Sequence, residues 1–199
     1  MEKKYTVERL KEHEFNYWKN HHEKSNFPNT DFYVSFFDFE ELNGKKVLDI
    51  GCGGYPVSEY NPKIENLTLM DPLLEDLINL DKFSHLKKYG IVSKGILDEN
   101  KEIINFDFVI CLNVIDHFYD DEIVFAEKFR DFLSKGGKLY LQYDVRSEDD
   151  GEHISVNDEK IIEKIGDYFE IEKISHGINP ICVGWSKVFK STRIIAKKK

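Results

Sequence analysis

A carboxylate and a glycine-rich turn stand together at residues 46–54, where the chain reads KVLDIGCGG. The apolar residues predict a short buried strand over Lys46–Ile50, and Gly51 and Gly53 predict a turn that lets the backbone come close to a ligand. Asp49 lies near the carboxyl end of that strand, which is the edge where open α/β sheets bind ligands. The same residues also fit a turn that only connects a strand to a helix.

The chemistry of this turn argues against a dinucleotide ligand. A dinucleotide places its pyrophosphate at the turn, where the negative charge of Asp49 would repel it. The third glycine of G-x-G-x-x-G would fall at position 56, which is Pro56. The turn therefore favours a ligand with a cationic, amino-acid-like end.

A second acidic residue, Asp71, follows the next predicted strand, 22 residues after Asp49. In nucleoside-binding α/β units an acid about 20 residues after the turn holds the ribose, because one carboxylate accepts from both hydroxyls. Asp71 also fits the start of a helix, with Pro72 in the first helical position. The two roles are compatible.

Asp49, Gly51 and Gly53 form a D-x-G-x-G motif, which resembles the first motif of the class I S-adenosylmethionine (SAM)-dependent methyltransferases. The resemblance covers about residues 44–199 and is greatest to small bacterial enzymes that methylate surface glycans or other small molecules. It implies SAM as the cofactor and S-adenosylhomocysteine (SAH) as the product. It also implies a set of cofactor-binding residues: Asp49, Gly51, Cys52, Gly53, Asp71, Pro72, Ile96, Leu97 and Asn113.

In this resemblance, Ile96 or Leu97 lies against the adenine and the carbonyl of Asn113 meets the methionine ammonium. The run NVIDH at residues 113–117 resembles the N-x-L-D-H of small-molecule methyltransferases. Histidine is a natural general base near neutral pH, so His117 is a candidate catalytic base, or alternatively a cap or backbone partner within its turn. His153, in a polar loop after the fifth predicted strand, is the second candidate.

The acceptor side is predicted from the first helix and from the end of the fifth strand. The candidate substrate-binding residues are Tyr17, Trp18, Tyr143 and Arg146. A guanidinium at position 146 suits an anionic group on the acceptor, whereas the aromatic residues would also fit simple packing on the sheet. The histidine spacing does not suit zinc, and the acidic residues 144–152 are more typical of a solvated loop, so no metal is predicted.

Strands and helices alternate after the turn, which predicts an α/β fold with a mainly parallel sheet and right-handed crossovers. We expect a Rossmann-like sheet of seven strands with helices on both faces and an antiparallel C-terminal hairpin. The whole chain is expected to form one domain, residues 1–199, with a short N-terminal helical cap, 1–43, on a core, 44–199. The predicted strands cover 46–50, 67–70, 91–93, 106–112, 138–144, 169–175 and 187–196. The predicted helices cover 7–20, with Thr6 as its cap, then a short helix ending near Gly44, and 73–80, 83–88, 121–134 and 158–168.

Composition narrows the class of partner. Apolar residues make up 41% of the 199 residues and aromatic residues 14%, which is typical of a globular chain. The net charge of −9 argues against a nucleic-acid partner. The three cysteines have no C-x-x-C spacing, and the chain has no signal-peptide core and no apolar run of about 20 residues, so a cytoplasmic protein without a membrane partner is expected.

Together these residues predict transfer of a methyl group from SAM to a small acceptor by a monomer or homodimer. The first expectation for the acceptor is a hydroxyl of a sugar or nucleotide-sugar precursor of a surface glycan, in polysaccharide biosynthesis. Carboxyl or amine methylation of another small metabolite is an alternative. A non-catalytic partner protein that binds SAM or SAH is another.

Overall fold

The computed structural model describes residues 7–20, 30–96, 102–117, 124–146, 155–178 and 190–199. Its centre is a seven-stranded sheet in the order β3-β2-β1-β4-β5-β7-β6. The strands are β1 Lys46–Ile50, β2 Asn66–Met70, β3 Gly90–Val92, β4 Phe106–Leu112, β5 Leu133–Val145, β6 Phe169–Ile178 and β7 Lys190–Lys198. Neighbouring strands from β3 to β5 pair in parallel, and β7 runs antiparallel to both β5 and β6. The predicted mixed sheet with a C-terminal antiparallel pair is confirmed.

Five α-helices accompany the sheet in the described residues: α1 Val7–Asn20, α2 Thr30–Val34, α3 Leu74–Leu77, α4 Val124–Phe132 and α5 Asp158–Tyr168. Short 3-10 helices cover Phe39–Leu42, Val57–Glu59, Asp81–Lys88 and Ile115–His117. Asn157 caps α5, because its side chain accepts a hydrogen bond from the backbone of Lys160. None of the described helices is long and apolar enough to cross a membrane.

Two hydrophobic cores lie on opposite faces of the sheet, because successive strand residues point in opposite directions. On β1, Leu48 belongs to the core under α4 and α5, which also contains Phe129 and Ile165. Its neighbour Val47 belongs to the opposite core, which contains Tyr33 of α2. Helices therefore cover both faces of the sheet, as predicted.

The junction between α4 and β5 differs from the sequence-based prediction. The helix was predicted to reach residue 134 and the strand to begin at 138, but α4 ends at Phe132 and β5 begins at Leu133. Phe106 pairs with Leu133 while Phe108 pairs with Lys138, so the extra residues form an irregularity in the ladder. Gly136, with φ of +73°, lies within this irregularity. The helix after β2 is also shorter than expected, because α3 spans only Leu74–Leu77.

Candidate functional site

The turn after β1 lies at the carboxyl edge of the sheet and depends on two left-handed glycines. Gly51 has φ of +67° and Gly53 has φ of +50°, and side chains are disfavoured in that region. The N–H of Gly51 donates to the carbonyl of Met70, the last residue of β2, at 2.7 Å. The turn is thus held against the end of the neighbouring strand.

Asp71 secures the turn from that neighbouring strand. Its Oδ2 accepts from the N–H of Gly53 at 3.0 Å, and its Oδ1 accepts from the N–H of Leu73 at 2.8 Å. Burial raises the pKa of Asp71, and these two N–H groups partly offset that rise. A carboxylate has about four lone-pair sites. Asp71 therefore keeps acceptor capacity for the hydroxyls of a ligand. It is not the predicted N-cap, because α3 begins only at Leu74, after Leu73 as its cap residue.

Asp49 is buried on the other side of the turn. Its Oδ2 accepts from the N–H of Val57 at 2.6 Å. Burial raises the pKa of Asp49 to about 7, the Val57 hydrogen bond opposes the rise, and the charge of Asp71 adds to it. A cation close to these two carboxylates would be favourable. Cys52 is also buried in the turn, and its burial raises the pKa of the thiol.

Helix α1 covers the turn. The indole of Trp18 packs so closely on Gly53 that a Cβ at that position would collide with it. Trp18 also makes edge contacts with Tyr55 and Phe83, at centroid distances of 5.9 and 6.2 Å. Its neighbour Tyr17 is 44% exposed. The predicted acceptor residue Trp18 therefore lies directly over the predicted donor turn.

Asn113 follows β4 and combines two unusual features. It is one of two non-glycine residues with positive φ in the described part of the chain, at +60°. Its Oδ1 is buried and accepts no hydrogen bond from any described residue. Its own N–H donates to the carbonyl of Gln142 on β5 at 2.9 Å. A strained backbone and an unsatisfied buried oxygen are both typical of ligand sites.

His117 lies between the turn after β4 and helix α1. Its Nδ1 is 3.8 Å from Oε1 of Glu14. The charges of Glu14 and His117 both influence the pKa of Asp71, so the three groups form one electrostatic cluster. Glu14 begins the run 14–18 that the sequence indicates for the acceptor side, although only Tyr17 and Trp18 of that run were predicted as contact residues. It precedes Trp18 by four residues, and residues so spaced share one helix face.

Arg146 and Tyr143 are placed inside the protein. Arg146 is nearly buried and its Nε donates to Asp116 at 2.8 Å. Tyr143 is fully buried, and its hydroxyl donates to Asp158 at the start of α5 at 2.8 Å. Burial and the nearby Asp158 raise the pKa of Tyr143. The predicted roles of both residues in acceptor binding remain predictions.

Of the remaining cofactor-binding candidates, Ile96 is buried in the core that also contains Met70, and Pro72 is partly buried next to Asp71. Leu97 and the second candidate base, His153, lie outside the described residues. Within the described ranges, histidine, cysteine and acidic side chains form no cluster that could hold a metal ion.

The sequence of this chain is similar to parts of known proteins. No protein-family model matches the chain. A tRNA U34 carboxymethyltransferase of Campylobacter lari is 30% identical over 141 residues, covering 68% of this chain and 47% of the relative. A ubiquinone biosynthesis O-methyltransferase of Pseudomonas fluorescens is 32% identical over 106 residues, covering 50% and 44%. The chain thus spans less than half the length of these relatives.

The N-methyltransferase NodS from Bradyrhizobium japonicum WM9, crystallised with SAH, superimposes with a TM-score of 0.67 at 12% identity. The superposition covers 95% of this chain and 98% of NodS. At that identity the likeness establishes the fold alone, and it confirms the Rossmann-like architecture.

Proposed function

The chain has the fold of the class I SAM-dependent methyltransferases, and from that premise we propose that it binds SAM and transfers its methyl group to a small acceptor. One observation carries the proposal. The polar residues Asp71, Asp49 and Asn113 lie at the carboxyl ends of three adjacent strands, β2, β1 and β4. Ligands of open α/β sheets bind at this edge, where the strand order switches.

The residues at this edge fit SAM. In this proposal Asn113 presents buried acceptor groups to the methionine ammonium, and Asp71 accepts from the ribose hydroxyls. Asp49 supplies negative charge behind the turn, which favours a cationic ligand. Ile96 lies on the adenine side. The bound cofactor supplies an electrophilic methyl group on a sulfonium.

The residues of the chain then align the acceptor, exclude water and take up a proton. Alignment contributes most, because it replaces a bimolecular encounter. His117 is the proposed base within the described residues, since Glu14 is placed to stabilise the imidazolium that forms. His153 is the other candidate. The predicted acceptor-binding set of Tyr17, Trp18, Tyr143 and Arg146 remains part of the proposal.

For the acceptor we propose a hydroxyl of a sugar or nucleotide-sugar precursor of a surface glycan. The named activity of the Pseudomonas relative is an O-methyl transfer, which supports a hydroxyl. Fold alone does not identify an acceptor. A panel of nucleotide sugars, phenols and small carboxylic acids with radiolabelled SAM separates this acceptor from the alternatives.

Ligand-induced stabilisation tests the donor site directly. A ligand that binds only the folded state raises the melting temperature by mass action. We expect SAM and SAH to stabilise the full chain and NAD to leave it unchanged. Asp71→Asn should reduce the SAH effect, whereas Asp76→Asn, an exposed acid on α3, should keep it. Stabilisation by NAD without stabilisation by SAH would show that the proposal is wrong.

Single substitutions test the base once an acceptor is found. A general base contributes about 10²–10⁴-fold to the rate, so His117→Ala should lower turnover by that order while SAH still binds. His153→Ala is the parallel variant. Unchanged turnover in both variants would eliminate base catalysis by histidine. A chain that binds SAH but methylates nothing in the panel would favour a non-catalytic binding protein.

A further inference from the structure

A buried ion pair joins the ends of β4 and β5. The Nε of Arg146 donates to Oδ2 of Asp116 at 2.8 Å, and the relative exposures of the two residues are 5% and 0%. It is the most deeply buried ion pair between described residues. Each partner belongs to a segment that borders the proposed donor site.

The pair connects three segments of the chain. Asp116 lies in the 3-10 turn Ile115–His117, directly before the candidate base. Arg146 follows the last residue of β5, and its carbonyl accepts from the N–H of Val156 at 2.9 Å. Val156 precedes Asn157, the cap of α5. Arg146 therefore ties the turn after β4 to the end of β5 through its guanidinium, and it ties this strand end to the start of α5 through its carbonyl.

Stability alone does not explain such a pair. Removing two charges from water costs about as much as their attraction returns, so apolar residues of similar size stabilise a fold equally well. Oδ1 of Asp116 is buried and accepts no hydrogen bond from any described residue, which adds a further cost. What a buried ion pair does supply is a fixed geometry, because its directional hydrogen bond is strong.

We propose that Asp116 and Arg146 are positioning residues of the donor site. The pair holds residues 113–117 in one conformation, with Asn113 at positive φ and His117 directed towards Glu14. The inference rests on the proposed function, because it assumes that Asn113 and His117 serve SAM and its acceptor. It also adds a second role to the predicted one of Arg146. Its Nε donates to the buried carboxylate of Asp116, and through this contact Arg146 acts on the donor site.

The double variant Asp116→Asn, Arg146→Met tests this inference, because it removes both charges and leaves neither one buried alone. Two measurements are made on the full chain: SAH affinity by calorimetry, and the imidazole resonances of His117 by NMR without ligand, assigned with His117→Asn. We expect a folded protein whose SAH affinity is at least tenfold weaker and whose His117 resonances are shifted. A matched control is Lys164→Met, Asp167→Asn, which removes a more exposed pair on α5; neither measurement should change there.

Arg146→Lys is a further variant of the ion pair, measured in the same way. It keeps the charge but loses the planar guanidinium, so it should fold and give a smaller shift of the His117 resonances in the same direction. A folded double variant with wild-type SAH affinity and unshifted His117 resonances would overturn the proposal. If the double variant is unfolded, unshifted resonances in Arg146→Lys would overturn it. Failure of the wild type to bind SAH refutes the proposed function, and the His117 resonances still report whether the pair positions the turn.

Discussion

The carboxyl group of Asp49 lies buried behind the glycine turn, and its pKa is raised to about 7. An aspartate in an unfolded chain titrates near 3.9. Because the folded-state pKa is the higher one, the folded state binds the extra proton and gains stability below about pH 4. That stability is lost as the pH rises through about 7.

Asp49→Asn should remove this pH dependence. Between pH 4 and pH 8 the wild type should lose up to about 4 kcal/mol more of its free energy of unfolding than the variant does. Urea unfolding at several pH values measures the difference. Asp76→Asn is the control, since its side chain is exposed and its curve should run parallel to that of the wild type. Parallel curves for Asp49→Asn as well would contradict the raised pKa.

Asn113 allows backbone strain and ligand binding to be tested separately. Its φ of +60° costs a residue with a Cβ roughly 1–2 kcal/mol, and asparagine tolerates it better than alanine. We expect Asn113→Ala to lower the free energy of unfolding by about 1 kcal/mol, whereas Asn113→Gly should preserve or raise it. Both variants lose the buried Oδ1.

SAH affinity should therefore fall in both variants of Asn113, including the one whose fold is not destabilised. Denaturant unfolding and calorimetry on the same preparations separate the two effects. If Asn113→Gly bound SAH as tightly as the wild type, the side chain would have no part in the donor site. Only the backbone carbonyl would then remain as a candidate contact.

At the scale of elements, α1 is docked by two kinds of contact, one to the glycine turn and one to the 3-10 helix Asp81–Lys88. Trp18 packs on Gly53, and the ammonium of Lys82 donates to the carbonyls of Trp18 and Lys19 at 2.8 Å each. The second contact satisfies carbonyls that the last turn of a helix leaves unpaired. Helix α1 therefore depends both on the turn that it covers and on the 3-10 helix that contains Lys82.

Gly53→Ala should displace α1, because the new Cβ collides with the indole of Trp18. Hydrogen exchange over Val7–Asn20 should accelerate, and SAH affinity should fall. Adding Trp18→Ala removes the collision, so exchange in the double variant should be no faster than in Trp18→Ala alone. Gly166→Ala is the control: nothing lies within 4 Å of its Cβ in α5, and it should stabilise the fold by roughly 0.5–1 kcal/mol. Unchanged exchange in Gly53→Ala would show that α1 docks by other contacts.

The bounds of strands and helices were predicted best where the local hydrophobic pattern agrees with the pairing between strands. Strands β1 and β4 have the predicted bounds, because a short apolar run flanked by polar residues leaves few other strand registers. The predicted start of β5 was wrong, because the strand begins where Leu133 pairs with Phe106. No local sequence pattern indicates that pairing. Glycines signal a break in a helix and an irregular strand alike.

The residues of the candidate site were likewise predictable only where their position in the local sequence determines where they lie. Asp49, Asp71 and Asn113 were predictable because strand ends in an α/β sheet point to one edge. That Tyr143 would be turned inwards to Asp158, and Arg146 committed to Asp116, depends on partners distant in sequence. The pairing of Glu14 with His117 was not predicted, because the two residues belong to different elements, although Glu14 lies in the run 14–18 that the sequence indicates for the acceptor side.

At the scale of the whole molecule, the strand order and the net charge of the chain both influence which ligands the site favours. The order β2-β1-β4 brings the acidic ends of β1 and β2 next to Asn113, and the chain as a whole carries a net charge of −9. Negative charge at and around a cleft favours cationic ligands and repels polyanions. The donor site suits SAM on these grounds, and a nucleic-acid acceptor would approach against the overall field.

One relative acts on tRNA by name, so tRNA binding provides a test of the proposed small acceptor. Nucleic-acid affinity depends on contacts from lysine and arginine to phosphates, and this chain has 28 such residues against 37 acidic ones. We expect fluorescently labelled tRNA to bind the chain with a dissociation constant above about 10 µM at physiological salt. Fluorescence anisotropy at two salt concentrations, with SAH present, measures it. Submicromolar binding that weakens steeply with salt would contradict the proposed acceptor class and favour a nucleic-acid substrate, while the donor site would stand unchanged.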